Sequence, residues 1–332
     1  MAKKRILTGD RPTGALHLGH YVGSLANRVK LQDEYDTFII IADVQALTTN
    51  FEHPEKLPED VRQVAIDNLS VGLDPEKTTI FIQSMVPQIA ELTVVFSMLV
   101  TVNVLRHNPT IKTEAKQYGY QDMTYGFLGY PVSQTADITF CKAHMVPVGA
   151  DQVPHLELCR KLVRRFNEMY KPVLVEPDFK VGTVGRLVGT DGNAKMSKSL
   201  GNCIYLSDSA EEVVQKISMA ITDPARMRRV DLGHPDVCTV FAYHNAFNAG
   251  FVKELRKECE TAGIGCVDCK KRLSAEINAL LEPMRERRAK YLANPGLVED
   301  ILRSGTDRAR EEGAKTMADV REAMHLDYLR NG

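Results

Sequence analysis

Arg5-Ile6-Leu7-Thr8-Gly9-Asp10-Arg11-Pro12-Thr13-Gly14-Ala15-Leu16-His17-Leu18-Gly19-His20-Tyr21 passes from an apolar run, through a Gly- and Pro-bearing turn, into a helical stretch that continues through Leu25. This predicts a strand–loop–helix unit with Gly19 and His20 at a helix N-terminus. Free backbone N–H groups and the positive end of the helix dipole favour an anion there. A glycine lets a phosphate approach the backbone where a Cβ would block it. The alternative reading of His17 and His20 is a helix-capping pair. About 175 residues downstream, Lys195-Met196-Ser197-Lys198-Ser199 sets two ammonium groups around a serine, on a loop flanked by Gly189, Gly192 and Gly201. Such lysines suit the charge on a departing pyrophosphate. Either stretch alone is a weak signal; in this order they argue together for a nucleotide triphosphate.

The rest of the first half alternates strand and helix signals. Thr37–Ala42 is a continuous β-branched run ending at Asp43, as expected of a central parallel strand covered on both faces. Helices are predicted over 19–34, 55–72, 88–104 and 152–169, and further strands at Ile6–Thr8, Thr79–Gln83 and Met145–Val148. The pattern predicts an α/β fold: a doubly wound, parallel, Rossmann-like nucleotide-binding domain. Ligands of such sheets sit beyond the carboxyl ends of the strands. His17–His20, Asp43-Val44-Gln45, Gln83-Ser84 and Gly149-Ala150-Asp151-Gln152 all fall there. After about residue 205 the strand signal ends, and 209–222, 241–260, 269–293, 297–304 and 306–324 read as helices of a smaller C-terminal domain. The expected division is 1–204, 205–295 and 296–332, with the last segment packing back on the first.

Composition narrows the class. The 332 residues are 44% hydrophobic and 26% charged, with a net charge of −1, which describes an ordinary globular protein without a global basic field. No run approaches the ~18 apolar residues of a membrane span, and the N-terminus lacks the apolar stretch of a signal peptide. A cytoplasmic protein is expected, with its seven cysteines as thiols. Cys141, Cys159 and Cys203 read as small buried apolar groups. Cys238, Cys259, Cys266 and Cys269 instead form C-x20-C-x6-C-x2-C, a ligand-like spacing that suits a [4Fe–4S] cluster or tetrahedral zinc equally.

The signature pair resembles that of the class I aminoacyl-tRNA synthetase family. Tyr130-Pro131 through Ala136-Asp137-Ile138, Val146-Pro147-Val148-Gly149-Ala150-Asp151-Gln152 and His155-Leu156-Glu157-Leu158 resemble its tryptophanyl branch. The likeness covers about residues 5–204. It implies two steps, ATP-dependent formation of an aminoacyl-adenylate and transfer to tRNA(Trp), by a homodimer using Mg²⁺. It implies that Arg11, Pro12, Thr13, Gly19 and His20 cradle the nucleotide, with Gly149, Ala150 and Asp151 at ribose and adenine and Leu187 against the base. Lys195, Met196, Ser197, Lys198 and Ser199 would form the mobile phosphate loop, with His17, His20, Lys195 and Lys198 serving the chemistry. Asp137 would accept the indole N–H of L-tryptophan, with Gln152 beside it.

Three positions depart from the family pattern. Gln45 stands where many relatives carry histidine, Arg11 where glutamine is frequent, and Glu114 where a second lysine is common after Lys112. For the cysteines the resemblance favours iron–sulfur over zinc, because a subset of the bacterial branch carries a similar set. Arg226, Arg228, Arg229, Lys270, Lys271 and Arg272 suggest a local basic face for tRNA, with Tyr243 or Phe247 as stacking partners. Competing readings are a tyrosyl-tRNA synthetase, a nucleotidylyltransferase sharing only the His-x-Gly-His element, and a regulatory paralogue that binds without charging tRNA.

Overall fold

A computed structural model describes residues 3–181, 187–192 and 196–328. Lys195 therefore lies outside the described residues. Five parallel strands, β1 (Arg5–Asp10), β2 (Asp36–Ile41), β3 (Thr78–Ile82), β4 (Met145–Val148) and β5 (Asp178–Val181), run in the order β3-β2-β1-β4-β5. Alternation along β2 explains why the sheet is covered twice. Phe38 and Ile40 enter one apolar cluster, while Ile39 and Ile41 enter the other. The order reverses between β1 and β4, whose ladder is the single pair Ile6–Met145 although both strands run on. A crevice opens there, at the topological switch point.

β1 leads to α1 (Leu18–His20), which passes through a π-helical turn (Tyr21–Leu25) into α2 (Ala26–Leu31). Such turns are rare and cluster at functional sites. α3 (Asp43–Asn50) and α4 (Leu57–Ser70) follow β2. The predicted 88–104 helix is two pieces, α5 (Pro87–Ser97) and α6 (Val102–Arg106). α7 (Pro109–Tyr118) and α8 (Tyr125–Thr139) follow, both unread in the sequence, the second because Pro131 lies inside it. α9 (Val153–Met169) packs on α8.

Beyond β5 come α10 (Ala210–Met219), α11 (Thr239–Phe247), α12 (Val252–Glu260), α13 (Cys266–Ala293) and α14 (Pro295–Ala323). The predicted 241–260 helix thus divides at Asn248–Phe251, whereas the pieces read at 297–304 and 306–324 are one helix. α13 packs on α4 and α10, and one apolar cluster runs unbroken from Leu16 and Ile39 through Ile204 to Phe241, Leu273 and Val298. α14 lies along β3 and α5 and adds residues to both clusters: Val298 and Leu302 on one side, Ala309, Met317 and Val320 on the other. Gly305 makes this possible, since a Cβ there would lie 2.0 Å from the Ile80 carbonyl oxygen. No helix among the described residues is long and apolar enough to cross a membrane.

Candidate active site

A cavity of about 560 Å³ fills the switch-point crevice. β1 and the residue after it supply Gly9, Asp10 and Arg11, β4 and its following turn supply Val148, Gly149 and Gln152, and α8 supplies Tyr130, Gln134 and Asp137. Tyr130, Gln134 and Asp137 are spaced i, i+4, i+7, so one face of α8 lines the cavity for two turns. Of the expected amino-acid contacts, Asp137 and Gln152 do share this space. Asp137 is buried and accepts from Gln83 Nε2 at 2.7 Å. Burial, aided by the Asp43 charge and opposed by the Gln83 hydrogen bond, pushes its carboxyl up to about 7.

The loops after β2 and β3 hold Asp137's partner in place. Gln83 Oε1 accepts from Gln45 N at 3.0 Å, and Asp43 accepts from Ser84 N at 2.9 Å and from the Ser84 hydroxyl. Gln134 was not singled out in the sequence, and Gln83 was read there only as a residue at a strand end. Their signal was the polar spacing on α8 and the strand end at Ile82.

The two signatures meet. Lys198 Nζ donates to the carbonyls of Thr13 at 3.1 Å and Gly14 at 2.7 Å. Burial lowers its pKa, with Asp60 and Asp67 opposing. Behind it, the 16–18 segment pairs with 204–206: Leu18 N donates to Ile204 O at 2.9 Å and Leu206 N to Leu16 O at 3.0 Å. Met196 is buried and donates its N–H to Leu187 O at 3.1 Å, while Ser197 N donates to Asn202 Oδ1 at 2.8 Å. Leu187 is buried, and Ser199 lies in the 3₁₀ turn Lys198–Leu200. Pro12 is buried and Thr13 exposed in the loop that receives Lys198.

The histidines do what the alternative reading allowed. His17 caps α1, accepting from Gly19 N at 3.1 Å, while His20 Nδ1 accepts from His17 N at 3.2 Å. Gly19 serves this pair too, because a Cβ there would come within 2.9 Å of the His17 ring. Gly149 N-caps a 3₁₀ turn, Ala150–Gln152, and Asp151 accepts from Gln152 Nε2 at 3.2 Å.

Among the described residues no three of His, Cys, Asp or Glu converge closely enough to hold a metal ion. The four thiols nevertheless form one neighbourhood, brought together by the N-cap of α11 (Cys238), the last turn of α12 (Cys259) and the first turn of α13 (Cys266 and Cys269). Burial pushes Cys269 up to about 12, with the charges of Cys238, Cys259 and Cys266 next in effect. Burial also raises Cys238 and Cys259. Arg226 Nη1 lies 3.8 Å from Cys259 Sγ, so a cation is already present for a thiolate. The donor set fits a thiolate-bound group in kind, while among the described residues its members do not converge on one point.

The expected basic face is largely spent internally. Arg226 is buried against the Ile264 carbonyl at 2.7 Å, Arg229 donates to Ala262 O at 2.6 Å, Lys270 reaches Ser218 O and Arg272 pairs with Glu258. Tyr243 is buried, its hydroxyl on Val188 O, and so offers no face to a base.

A parallel sheet reversing at a cleft, with a lysine loop closed onto the strand–helix turn, defines a class, and residues 2–282 match the family model of class I tRNA synthetases (W and Y). The chain belongs to that family. It is 48% identical over 339 residues to the tryptophan–tRNA ligase of Clostridium longisporum, covering 100% of this chain and 99% of that protein. It is also 48% identical over 328 residues to the Thermotoga maritima ligase, covering 98% and 100%. Among solved structures, tryptophanyl-tRNA synthetase from Campylobacter jejuni, complexed with ADP and tryptophan, superposes with a TM-score of 0.86 at 31% identity, covering 97% of this chain and 99% of that one.

Proposed function

We propose that this chain is an ATP-dependent ligase that charges tRNA(Trp) with L-tryptophan. The observation that carries the choice of amino acid is Asp137: one buried carboxylate, fixed by Gln83, at the end of a cavity lined by one face of α8. An indole N–H satisfies that acceptor, whereas a phenyl or aliphatic side chain leaves it unpaired. The full-length likeness to tryptophan–tRNA ligases supports the same choice over the tyrosyl alternative.

The tryptophan carboxylate attacks the α-phosphorus of ATP and pyrophosphate leaves. The terminal ribose hydroxyl of tRNA then attacks the carbonyl of the adenylate, releasing AMP. No covalent protein intermediate is required, so positioning and charge stabilisation carry the rate. Arg11, Pro12, Thr13, Gly19 and His20 hold the nucleotide, with Gly149, Ala150, Asp151 and Leu187 at its nucleoside end and Gln152 beside the amino acid. The loop from Lys195 through Met196, Ser197, Lys198 and Ser199 supplies the cations, and His17 and His20 keep the turn in register through their cap. Mg²⁺, when bound with the nucleotide, would supply further neutralisation of phosphate charge.

Cys238, Cys259, Cys266 and Cys269 are proposed to hold a [4Fe–4S] cluster, with zinc as the alternative, in a helical region (205–295) that contacts tRNA. Their shared neighbourhood and the Arg226 guanidinium support this. Absorption near 400 nm and iron content in an anaerobic preparation test it; a colourless, iron-free protein refutes it.

A cytoplasmic homodimer is the proposed state. The exposed apolar residues Val94, Met98, Val102 and Val104 on and around α5 and α6 support the dimer. Pyrophosphate exchange with a panel of amino acids tests the main assignment. Exchange with tryptophan alone is expected; exchange with tyrosine, or with none, overturns it.

A further inference from the structure

One wall of the cleft carries a carboxylate that the adenylation chemistry does not use, and the hydrogen bonds behind it have a fixed direction. Asn108 N-caps α7, its Oδ1 accepting from Thr110 N at 2.9 Å and Ile111 N at 3.4 Å. Its amide nitrogen is therefore the atom facing His155 Nδ1 at 3.5 Å. An amide nitrogen only donates, so His155 Nδ1 accepts. Burial, with Arg11 adding to it, brings His155 down to about 4, so near neutral pH the ring is uncharged and its one proton sits on Nε2. That proton is directed to the Tyr130 hydroxyl oxygen, 2.7 Å away. With its oxygen accepting from His155, the Tyr130 hydroxyl keeps its own proton to donate, and Glu114 is the carboxyl group beside it. Donation runs from Asn108 through His155 to Tyr130, whose hydroxyl stands beside Glu114.

Glu114, on α7, lines the cavity together with Tyr130, Gln134 and Asp137. Arg11 Nη2 stands 3.8 Å from its Oε1, too far for a hydrogen bond. Its Oε2 is buried and has no hydrogen-bond partner among the described residues. A buried carboxylate oxygen of this kind calls for a cationic donor and repels a phosphate. Tyr130 and Asp137 are two turns apart on α8, about 10 Å along its axis, so the slot has one acidic acceptor near each end. With Asp137 at the indole end, the far end receives the amino acid's polar head.

We infer that Glu114 is the counter-ion for the α-ammonium group of the amino acid substrate, with Tyr130 and Arg11 holding it in place. This rests on the tryptophan assignment, and it deepens it by giving the substrate's two ends separate acidic partners.

The test compares L-tryptophan with indole-3-propionate, which lacks only the ammonium group, by calorimetry on the full chain without ATP or Mg²⁺. The wild-type protein should prefer tryptophan at least tenfold. Glu114→Gln keeps size and should remove most of that preference, weakening tryptophan about tenfold or more while leaving indole-3-propionate unchanged or tighter. Glu114→Asp should restore part of it. In pyrophosphate exchange, the KM for tryptophan should rise in E114Q while the KM for ATP stays within twofold. An unchanged preference in E114Q, or equal weakening of both ligands, overturns the assignment while leaving the tryptophan reading intact. A wild-type protein that binds no tryptophan overturns both.

Discussion

Asp137→Asn is the sharpest probe of the amino-acid site, because the surrounding hydrogen bonds dictate which way the new amide must face. Gln83 is fixed by accepting from Gln45 N at 3.0 Å, so its Nε2 goes on donating toward position 137. The asparagine must turn its carbonyl oxygen to Gln83 and its NH₂ into the cavity. An indole N–H arriving there meets a donor instead of a carboxylate. Losing a charged acceptor and leaving the donor unpaired costs about 3 kcal/mol, or roughly two orders of magnitude in affinity.

The pH dependence adds a second readout. The folded-state pKa of Asp137 is raised to about 7, so the native state favours the neutral carboxyl. That contribution to stability is full below the ordinary carboxylate range and is lost as pH climbs through 7. The asparagine variant should therefore be the more stable protein at pH 8, by a few kcal/mol at most, while binding tryptophan worse. Wild-type tryptophan affinity should fall between pH 8 and pH 6 as the acceptor gains its proton, and the variant's should stay flat. Pyrophosphate exchange for both substrates, with calorimetry at three pH values, checks this. An equal rise in the KM for ATP, or a variant with the wild-type pH profile, refutes the reasoning.

Three other outcomes follow from contacts described above. Lys198→Met removes the tie to Thr13 and Gly14; exchange should fall at least tenfold, with tryptophan binding in the absence of ATP unchanged by calorimetry. Gly305→Ala drives a Cβ into the Ile80 carbonyl and should lower stability by about 1–3 kcal/mol in urea unfolding, with the loss concentrated in the packing of α14 on β3. Val94→Asp with Met98→Asp puts charge into the exposed α5 patch and should shift light scattering toward a mass near the chain's own 37.1 kDa.

The central sheet was legible because its strands are β-branched and buried on both faces, as in Thr37–Ile41. β5 was not, because Asp-Phe-Lys-Val is a four-residue edge strand with little apolar content. Gly305 misled for the opposite reason: it reads as a helix break, but its role is close packing, set by a strand more than two hundred residues away in the chain. Pro131 hid α8 in the same way, and with it the row Tyr130, Gln134, Asp137 that makes one wall of the site. The lysine loop and the histidine turn were legible as motifs. That Lys198 reaches the Thr13 and Gly14 carbonyls was not, because it depends on the pairing of 16–18 with 204–206. The cysteine spacing was legible as a thiol-rich cluster; that Arg226 stands 3.8 Å from Cys259 Sγ was not, because that contact depends on the fold of 226–259.

The clasp of Lys198 on two peptide oxygens bears on how this catalyst chooses its nucleotide. Its ammonium has already shed much of its hydration shell, so engaging a substrate is an exchange of oxygens and not a fresh dehydration. An incoming ligand must outcompete two neutral carbonyls for the cation. A triphosphate has the charge density to do so, and an uncharged nucleoside of the same shape does not. If Lys198 serves the phosphates as proposed, its release from these carbonyls would act as a sieve for anionic charge, ahead of any recognition of the base.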